Sequence, residues 1–313
     1  MMHHDLGKAN LEIFSKTLIE LAETDINVIV VTSDSRGSGK LVPFGEKLPD
    51  QLVEVGIAEQ NLIGISAGLA SAGKKVFSVS PSSFLTTRAL EQIKNDIAYS
   101  DNPVSIIGIS AGVSYGALGS THHSLHDIAA LRAIHNIDII IPADNFETEN
   151  AIKTLAQVTH PVYVRFGKRP MQHLHKPDTR FEIGKAIVIQ KGSDVAFIAT
   201  GETVYQALLA AELLEKENIS CSVVSMHTVK PLDEETLFDI AGDSHVVITV
   251  EEHSIFGGLG EACAAKILQA GIHVKFRIVG IPDEYTITGS QFEIFDHYGI
   301  SQKGLYKTAK QML

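Results

Sequence analysis

Glu59 is the residue whose surroundings first suggest chemistry. It lies in the stretch Val53-Glu54-Val55-Gly56-Ile57-Ala58-Glu59-Gln60-Asn61, an apolar strand-like entry into a predicted helix that runs on through Leu62 to Ala72 with this acid in its first turn. Gly64, Ala67, Gly68 and Ser71 fall on one face of that helix, at i, i+3, i+4 and i+7. Glycine costs a helix interior about 1 kcal/mol relative to alanine, so this face predicts close packing against another helix or another subunit. An acid at the start of such a helix has two readings. It favours the positive helix N-terminus, or it is a buried acid that must be paired or share a proton. A second group lies along Ser110 to His123, a Gly-rich loop that ends in Gly119-Ser120-Thr121-His122-His123. Loops of that length inside compact domains are usually functional, and a histidine emerging from one suits acid–base or oxyanion work. His122, His123 and His126 could be read as metal ligands, but no cysteine or Glu/His pair completes a familiar set. Arg165, Lys168 and Arg169 form a tight basic cluster, read either as a phosphate clamp or as a solvated linker start. The polar loop Ser33 to Lys40 could cradle a phosphate, yet it lacks Walker spacing and has no obvious helix behind it. No nucleophile elbow occurs.

The elements that must position these residues alternate. Leu6 to Glu23 predicts an amphipathic helix, and Val28 to Thr32 a strand buried on both faces. Further strands are expected at Lys75 to Ser80, Val104 to Ile109, Ile137 to Ile141 and Val162 to Arg165. The helices between them run from about Thr86 to Tyr99, from a cap at Ser124 to His135, and from Phe146 to Gln157. This alternation predicts a parallel α/β sheet, in which ligands bind beyond the carboxyl ends of the strands. Asp34, Phe84, Ser110 and the loop to His122 all lie at such ends, so one rim collects them. Gly167 to Arg180, with Pro170 and Pro177, reads as a linker. A second α/β unit follows, with strands near Ala186 to Ile189, Val195 to Ala199, Ser222 to Ser225, Val246 to Val250 and Val274 to Ile278. Its helices are expected over Thr203 to Lys216, with a cap at Thr203, and Gly257 to Gln269. The expected division is residues 1–170, a linker at 171–183 and residues 184–313.

A length of 313 residues with 44% hydrophobic residues supports two real cores. The formal charge of -11 argues against nucleic acid or an anionic membrane as the main partner. Cys221 and Cys263 lie in apolar runs and make no disulfide framework, as expected of a reduced, cytoplasmic protein. The start from Met1 to Asp5 has no signal-peptide core, and no run reaches transmembrane length.

Three segments taken in order, Gly56-Ile57-Ala58-Glu59-Gln60-Asn61, Ser83-Phe84-Leu85 and Gly119-Ser120-Thr121-His122-His123, resemble the transketolase family of thiamine diphosphate enzymes. In the second unit, Val229-Lys230-Pro231-Leu232-Asp233 and Glu251-Glu252-His253 add to the likeness. The resemblance spans essentially the whole chain and implies a pyrimidine-binding domain followed by the family's C-terminal domain. It implies that Glu59 bonds the N1′ nitrogen of the aminopyrimidine, a task that suits a desolvated, proton-bearing acid. Phe84 would stack on the pyrimidine face, and Asp34 would be the acid near the cofactor. His122 would handle substrate oxygens, and Lys168, with Arg165 and Arg169 beside it, would bind the substrate phosphate. The Gly-Asp-Gly motif that holds the magnesium diphosphate in full-length members does not occur. The likeness is therefore to the C-terminal subunit of a split transketolase. A separate N-terminal subunit would hold Mg2+ and the diphosphate, and two chains of each kind would form a heterotetramer. The implied activity is transfer of a two-carbon ketol unit from a ketose phosphate to an aldose phosphate.

The substrate half departs from the family pattern. Leu118 replaces the acid that reads a substrate hydroxyl, and Ser110 stands where a substrate-contacting histidine is usual. Such changes alter discrimination among sugars, and a branched donor such as apulose 4-phosphate fits them. Rival readings are the beta chain of a 2-oxo acid dehydrogenase, a deoxyxylulose-phosphate-synthase-like enzyme, and a non-catalytic stabilising subunit.

Overall fold

Strands of β-branched and aliphatic residues are buried along their whole length and bring opposite faces to two cores. In Val28–Thr32, Val28 and Val30 face one cluster while Ile29 and Val31 face another. The first cluster is closed by Leu11, Phe14 and Leu18 of the helix Asn10–Thr24, the second by Leu62 and Ile63 of the helix Glu59–Ser71. These strands belong to a computed structural model that describes residues 5–176 and 178–313; Met1 to His4 and Pro177, named above for the chain start and the linker, lie outside the described residues. The main sheet has seven strands. From one edge they are Leu52–Glu54, Val28–Thr32, Lys75–Pro81, Val104–Ile109, Val162–Arg165, Asp138–Ile140 and Thr228–Lys230. All pairs are parallel except the last, which is antiparallel.

A second sheet of five strands runs in the order Lys275–Ile281, Val246–Ser254, Val195–Ala199, Cys221–Ser225 and Ile187–Gln190. Only Ile187–Gln190 is antiparallel to its neighbour. The α/β class with two parallel-dominated sheets is therefore observed. Thr228–Lys230 lies in sequence within the second unit but completes the first sheet, pairing Thr228 with Ile140. The two units are thus joined through backbone hydrogen bonds as well as by side-chain packing. Among the described residues no helix is long and apolar enough to cross a membrane.

Several local expectations are corrected. Leu6–Ala9 is a strand rather than the first turn of a helix. It pairs antiparallel with Pro170–Gln172, and the Asn145 side chain accepts from the Lys8 N–H at 2.8 Å and donates to its carbonyl at 2.9 Å. The expected linker is accordingly tied down at its start. The expected helix from Thr86 begins at Ser82 and changes its winding at Ala89, continuing as π-helix over Ile93–Tyr99. Ser124 caps nothing: its hydroxyl bonds Ser82 at 2.8 Å, and the helix it precedes spans only Asp127–Arg132. Thr203 likewise lies inside its helix, which starts after Glu202, and its hydroxyl donates to the carbonyls of Thr200 and Val250. Within the chain, the small-residue face of the Glu59 helix packs only at Ala67, which joins the core. Gly64, Gly68 and Ser71 are exposed, and a Cβ added at either glycine would meet nothing within 4 Å.

The units meet at a buried polar node. Arg165, the last residue of its strand, is 4% exposed and donates to Asp127 Oδ1 at 2.8 Å and to the Glu252 carbonyl at 2.7 Å. Asp127 also accepts from Tyr163 at 2.7 Å and Ser82 at 3.0 Å. Burial would push the Asp127 carboxyl up, but the Arg165 guanidinium, His253 and these hydroxyls outweigh it and hold it low. Beside this pair, Glu252 accepts from the Val113 N–H at 2.8 Å and from Gln291 at 2.7 Å, and the same Gln291 amide donates to Glu202. Burial pushes the Glu252 carboxyl up to about 8, and the nearby Glu202 carboxyl acts in the same direction.

Two outcomes follow for stability. Asp127→Ala leaves Arg165 buried without its counter-charge and should cost about 3–5 kcal/mol in urea unfolding; a loss below 1 kcal/mol would mean the node is incidental. For Glu252, the folded value of about 8 exceeds the ordinary glutamate value of about 4.3, so the folded state holds the extra proton between them. Its contribution is complete below that window and is lost as pH rises through it. Glu252→Gln, which stays neutral, should therefore gain in Tm over the wild type at pH 9 compared with pH 5; a gap independent of pH would contradict the assignment.

Candidate active site

The strand ends of the first sheet supply one rim, as parallel topology requires. Gly56, at φ +75°, turns the chain out of Leu52–Glu54 and into the helix Glu59–Ser71. Glu59 sits in the first turn of that helix and is 2% exposed. Of the two sequence readings, burial with pairing holds: Arg88 Nη1 donates to Glu59 Oε2 at 2.5 Å. Arg88 and Phe84 share the short helix Ser82–Arg88, one turn apart, and the guanidinium lies over the Phe84 ring at 5.2 Å from its centroid. The edge-to-face row continues from there. Phe84 meets His122 at 5.3 Å and His122 meets Tyr115 at 5.4 Å, both at steep interplanar angles. The Lys168 ammonium then stands 4.7 Å from the Tyr115 ring centroid. Glu59, Phe84, His122 and Lys168 are thereby brought into one continuous line, with Arg88 and Tyr115 as links that sequence reasoning missed.

The loop that carries His122 is pinned from the second unit. His123 is buried, with Nε2 3.0 Å from the Gly116 carbonyl and Nδ1 2.6 Å from the Thr286 hydroxyl. The carbonyl can only accept, so Nε2 carries the hydrogen and Nδ1 accepts from Thr286. Burial favours this neutral form, pushing the imidazole below its ordinary range. Ser120 bonds the same Thr286 hydroxyl at 3.0 Å. At Gly116, φ is +54° and a Cβ would stand 2.7 Å from the Gly289 carbonyl oxygen, which explains the glycine there. With His123 turned inward, His122 is free to face the rim, its Nδ1 3.0 Å from the Thr121 hydroxyl. Among the described residues no group of three or more His, Cys, Asp or Glu is placed to hold an ion.

The remaining sequence candidates divide. Ser110 sits at the end of Val104–Ile109 in left-handed backbone, φ +54°, with its hydroxyl buried and unpartnered. The Ser83 hydroxyl, next to Phe84, is also buried and unpartnered. Leu118 is 54% exposed, on the loop between Tyr115 and His122. Asp34 is exposed beyond Val28–Thr32, and its neighbour Ser33 bonds Ser80 at 2.7 Å. Arg165 is corrected: it is consumed by the interdomain node and has no exposed donor edge to offer a phosphate. Arg169 is corrected as well, because it turns to the second unit and lies 3.4 Å from the Phe292 ring centroid. Of the three basic residues only Lys168 reaches the rim.

The rim thus provides a buried acid beside a half-buried aromatic face, two orphaned hydroxyls, a presented imidazole and an exposed ammonium.

Comparison with known proteins identifies the family. Residues 7–172 match the family model "Transketolase, pyrimidine binding domain" and residues 184–305 match "Transketolase, C-terminal domain". The chain is 46% identical over 301 residues to a subunit of the apulose-4-phosphate transketolase of Phocaeicola vulgatus, covering 96% of each. It is 40% identical over 296 residues to a putative transketolase C-terminal section of Methanocaldococcus jannaschii, covering 94% of this chain and 93% of that one. Among solved structures, a split gene transketolase described as an inactive beta4 tetramer superposes with TM-score 0.87 at 34% identity over 98% of both chains. This chain belongs to the transketolase family, and it spans the family's pyrimidine-binding and C-terminal domains, matching along nearly its whole length a chain that is one subunit of a split transketolase.

Proposed function

We propose that this chain is the pyrimidine-holding subunit of a split, thiamine-diphosphate-dependent transketolase, a transferase that moves a two-carbon ketol unit from a ketose phosphate to an aldose phosphate. The observation that carries the proposal is the line from buried Glu59 through Phe84 and His122 to Lys168. Glu59 and Phe84 would hold the aminopyrimidine, the acid at its ring nitrogen and the aromatic ring against its face, with Asp34 as an acid near the cofactor. Thiamine diphosphate, held there, would supply the nucleophilic carbon that the ketol transfer needs. Glu59 contributes a hydrogen bond from the carboxyl group of a residue that is 2% exposed at the start of its helix. His122, presented by the pinned loop, gives and takes protons at the substrate's carbonyl and hydroxyl oxygens. Lys168 pairs as a point charge with the substrate phosphate, steadied over Tyr115.

No Gly-Asp-Gly segment occurs in the sequence, so Mg2+ and the diphosphate would be held by an N-terminal partner subunit. The Phocaeicola relative, named as a subunit and matched over 96% of its own length, supports that reading. The uncovered Gly64, Gly68 and Ser71 face offers a surface for a neighbouring chain in a heterotetramer. We place the complex in the cytoplasm. Leu118 and the deep, strained Ser110 leave the rim short of polar groups near His122, which suits a donor other than the usual ketose phosphates. The branched apulose 4-phosphate named for the Phocaeicola relative is the donor we favour.

In the reconstituted complex, Glu59→Gln should lower kcat about 10²–10⁴-fold while leaving the chain folded and assembled; retained activity would remove Glu59 from the mechanism. Leu118→Asp restores a hydroxyl-reading acid and should move the kcat/KM ratio of xylulose 5-phosphate to the branched donor by about tenfold or more towards xylulose 5-phosphate. An unchanged ratio would show that Leu118 does not face the substrate.

A further inference from the structure

Arg88 contacts both groups that would grip the pyrimidine, yet the proposed chemistry gives it no task. Among the described residues it is the only side chain hydrogen-bonded to Glu59, at 2.5 Å, and its guanidinium also lies over Phe84. A guanidinium is flat, offers N–H donors along one edge and presents a face that packs on aromatic rings. An aminopyrimidine presents the same two features, a hydrogen-bonding edge and a flat face. The Glu59 side chain is 3% exposed, so without a partner its charge would be costly to bury, whereas the Arg88 side chain is 46% exposed. Arg88 also stands in the last turn of its helix, where a long side chain can swing into solvent without disturbing the fold.

We infer, building on the proposed function, that Arg88 is a positioning residue for Glu59: it holds the acid in place while the pyrimidine site is empty and must release it when the cofactor binds. Release leaves the guanidinium hydrated and frees the Glu59 carboxyl group to bond the ring nitrogen instead. Arg88 therefore competes with the cofactor for the same acid. An ion pair with one exposed partner is held weakly enough to be exchanged.

The test is calorimetric titration of thiamine diphosphate, with Mg2+ present, into the complex of this chain with its N-terminal partner. For Arg88→Met the Kd should fall about 3–10-fold. Arg88→Lys, which keeps the charge without the flat donor edge, should give an intermediate Kd. A merely structural Arg88 would leave the Kd unchanged or raise it when substituted. If wild type and Arg88→Met bind with equal Kd, or the variant binds more weakly, the competition is refuted while the proposed function stands. If the wild-type complex binds no thiamine diphosphate, the proposed function fails and the role of Arg88 fails with it.

Discussion

The Arg165–Asp127 pair is the constraint on which the site depends. Each partner would be expensive to bury alone, and together they are offset by close contact and by hydrogen bonds from Ser82, from Tyr163 and to the Glu252 carbonyl. These contacts fix four segments at one point. Ser82 begins the helix that carries Phe84 and Arg88, and Asp127 begins the helix that ends the His122 loop. Arg165 ends the strand that leads to Lys168, and Glu252 belongs to the second sheet. Moving any of them by an ångström would disturb the line from Glu59 to Lys168. A wholly apolar junction could match the stability, but it would not aim four elements with hydrogen-bond directionality.

The second unit acts through the same logic. It supplies no side chain to the line from Glu59 to Lys168, yet Thr286 orients His123 and Glu252 anchors Val113, so the Gly-rich loop is shaped from outside its own domain. Thr228–Lys230 adds the edge strand of the first sheet, which limits relative motion of the two units. Glu251 caps the helix Leu259–Gln269 through the N–H groups of Leu259 and Gly260. Glu251 is thus engaged within the second unit, while Glu252 is engaged at the junction.

Much of this was legible in the sequence because parallel α/β topology leaves little choice about where strand ends go. Short buried apolar runs alternating with helices placed Phe84 and His122 on one rim, and the unusual acid at Glu59 marked its origin. Arg88 was not legible. It is an ordinary exposed residue of an amphipathic helix by sequence, and only the geometry shows it reaching a buried acid 29 positions away. Arg165, Lys168 and Arg169 looked like one cluster because they are close in sequence. The strand end sends Arg165 inward, and the following turn sends Lys168 to the rim and Arg169 to Phe292. The strand over Thr228–Lys230 was hidden because its partner is set by docking of the two units, not by any local pattern. The expected start of the first helix failed for a similar reason, since pairing with Pro170–Gln172 overrides the helical periodicity of Leu6 to Ala9.

The most direct test follows a carbon label. The chain is mixed with its N-terminal partner, thiamine diphosphate and Mg2+, and given a ketose phosphate donor carrying 13C at C1 together with an unlabelled aldose phosphate. NMR should show the label appearing in a ketose two carbons longer than the acceptor, with the donor shortened to an aldose phosphate, and only when both subunits and the cofactor are present. Label that stays in the donor, or transfer that proceeds without thiamine diphosphate, would contradict the assignment of this chain as the pyrimidine-holding half of a split transketolase.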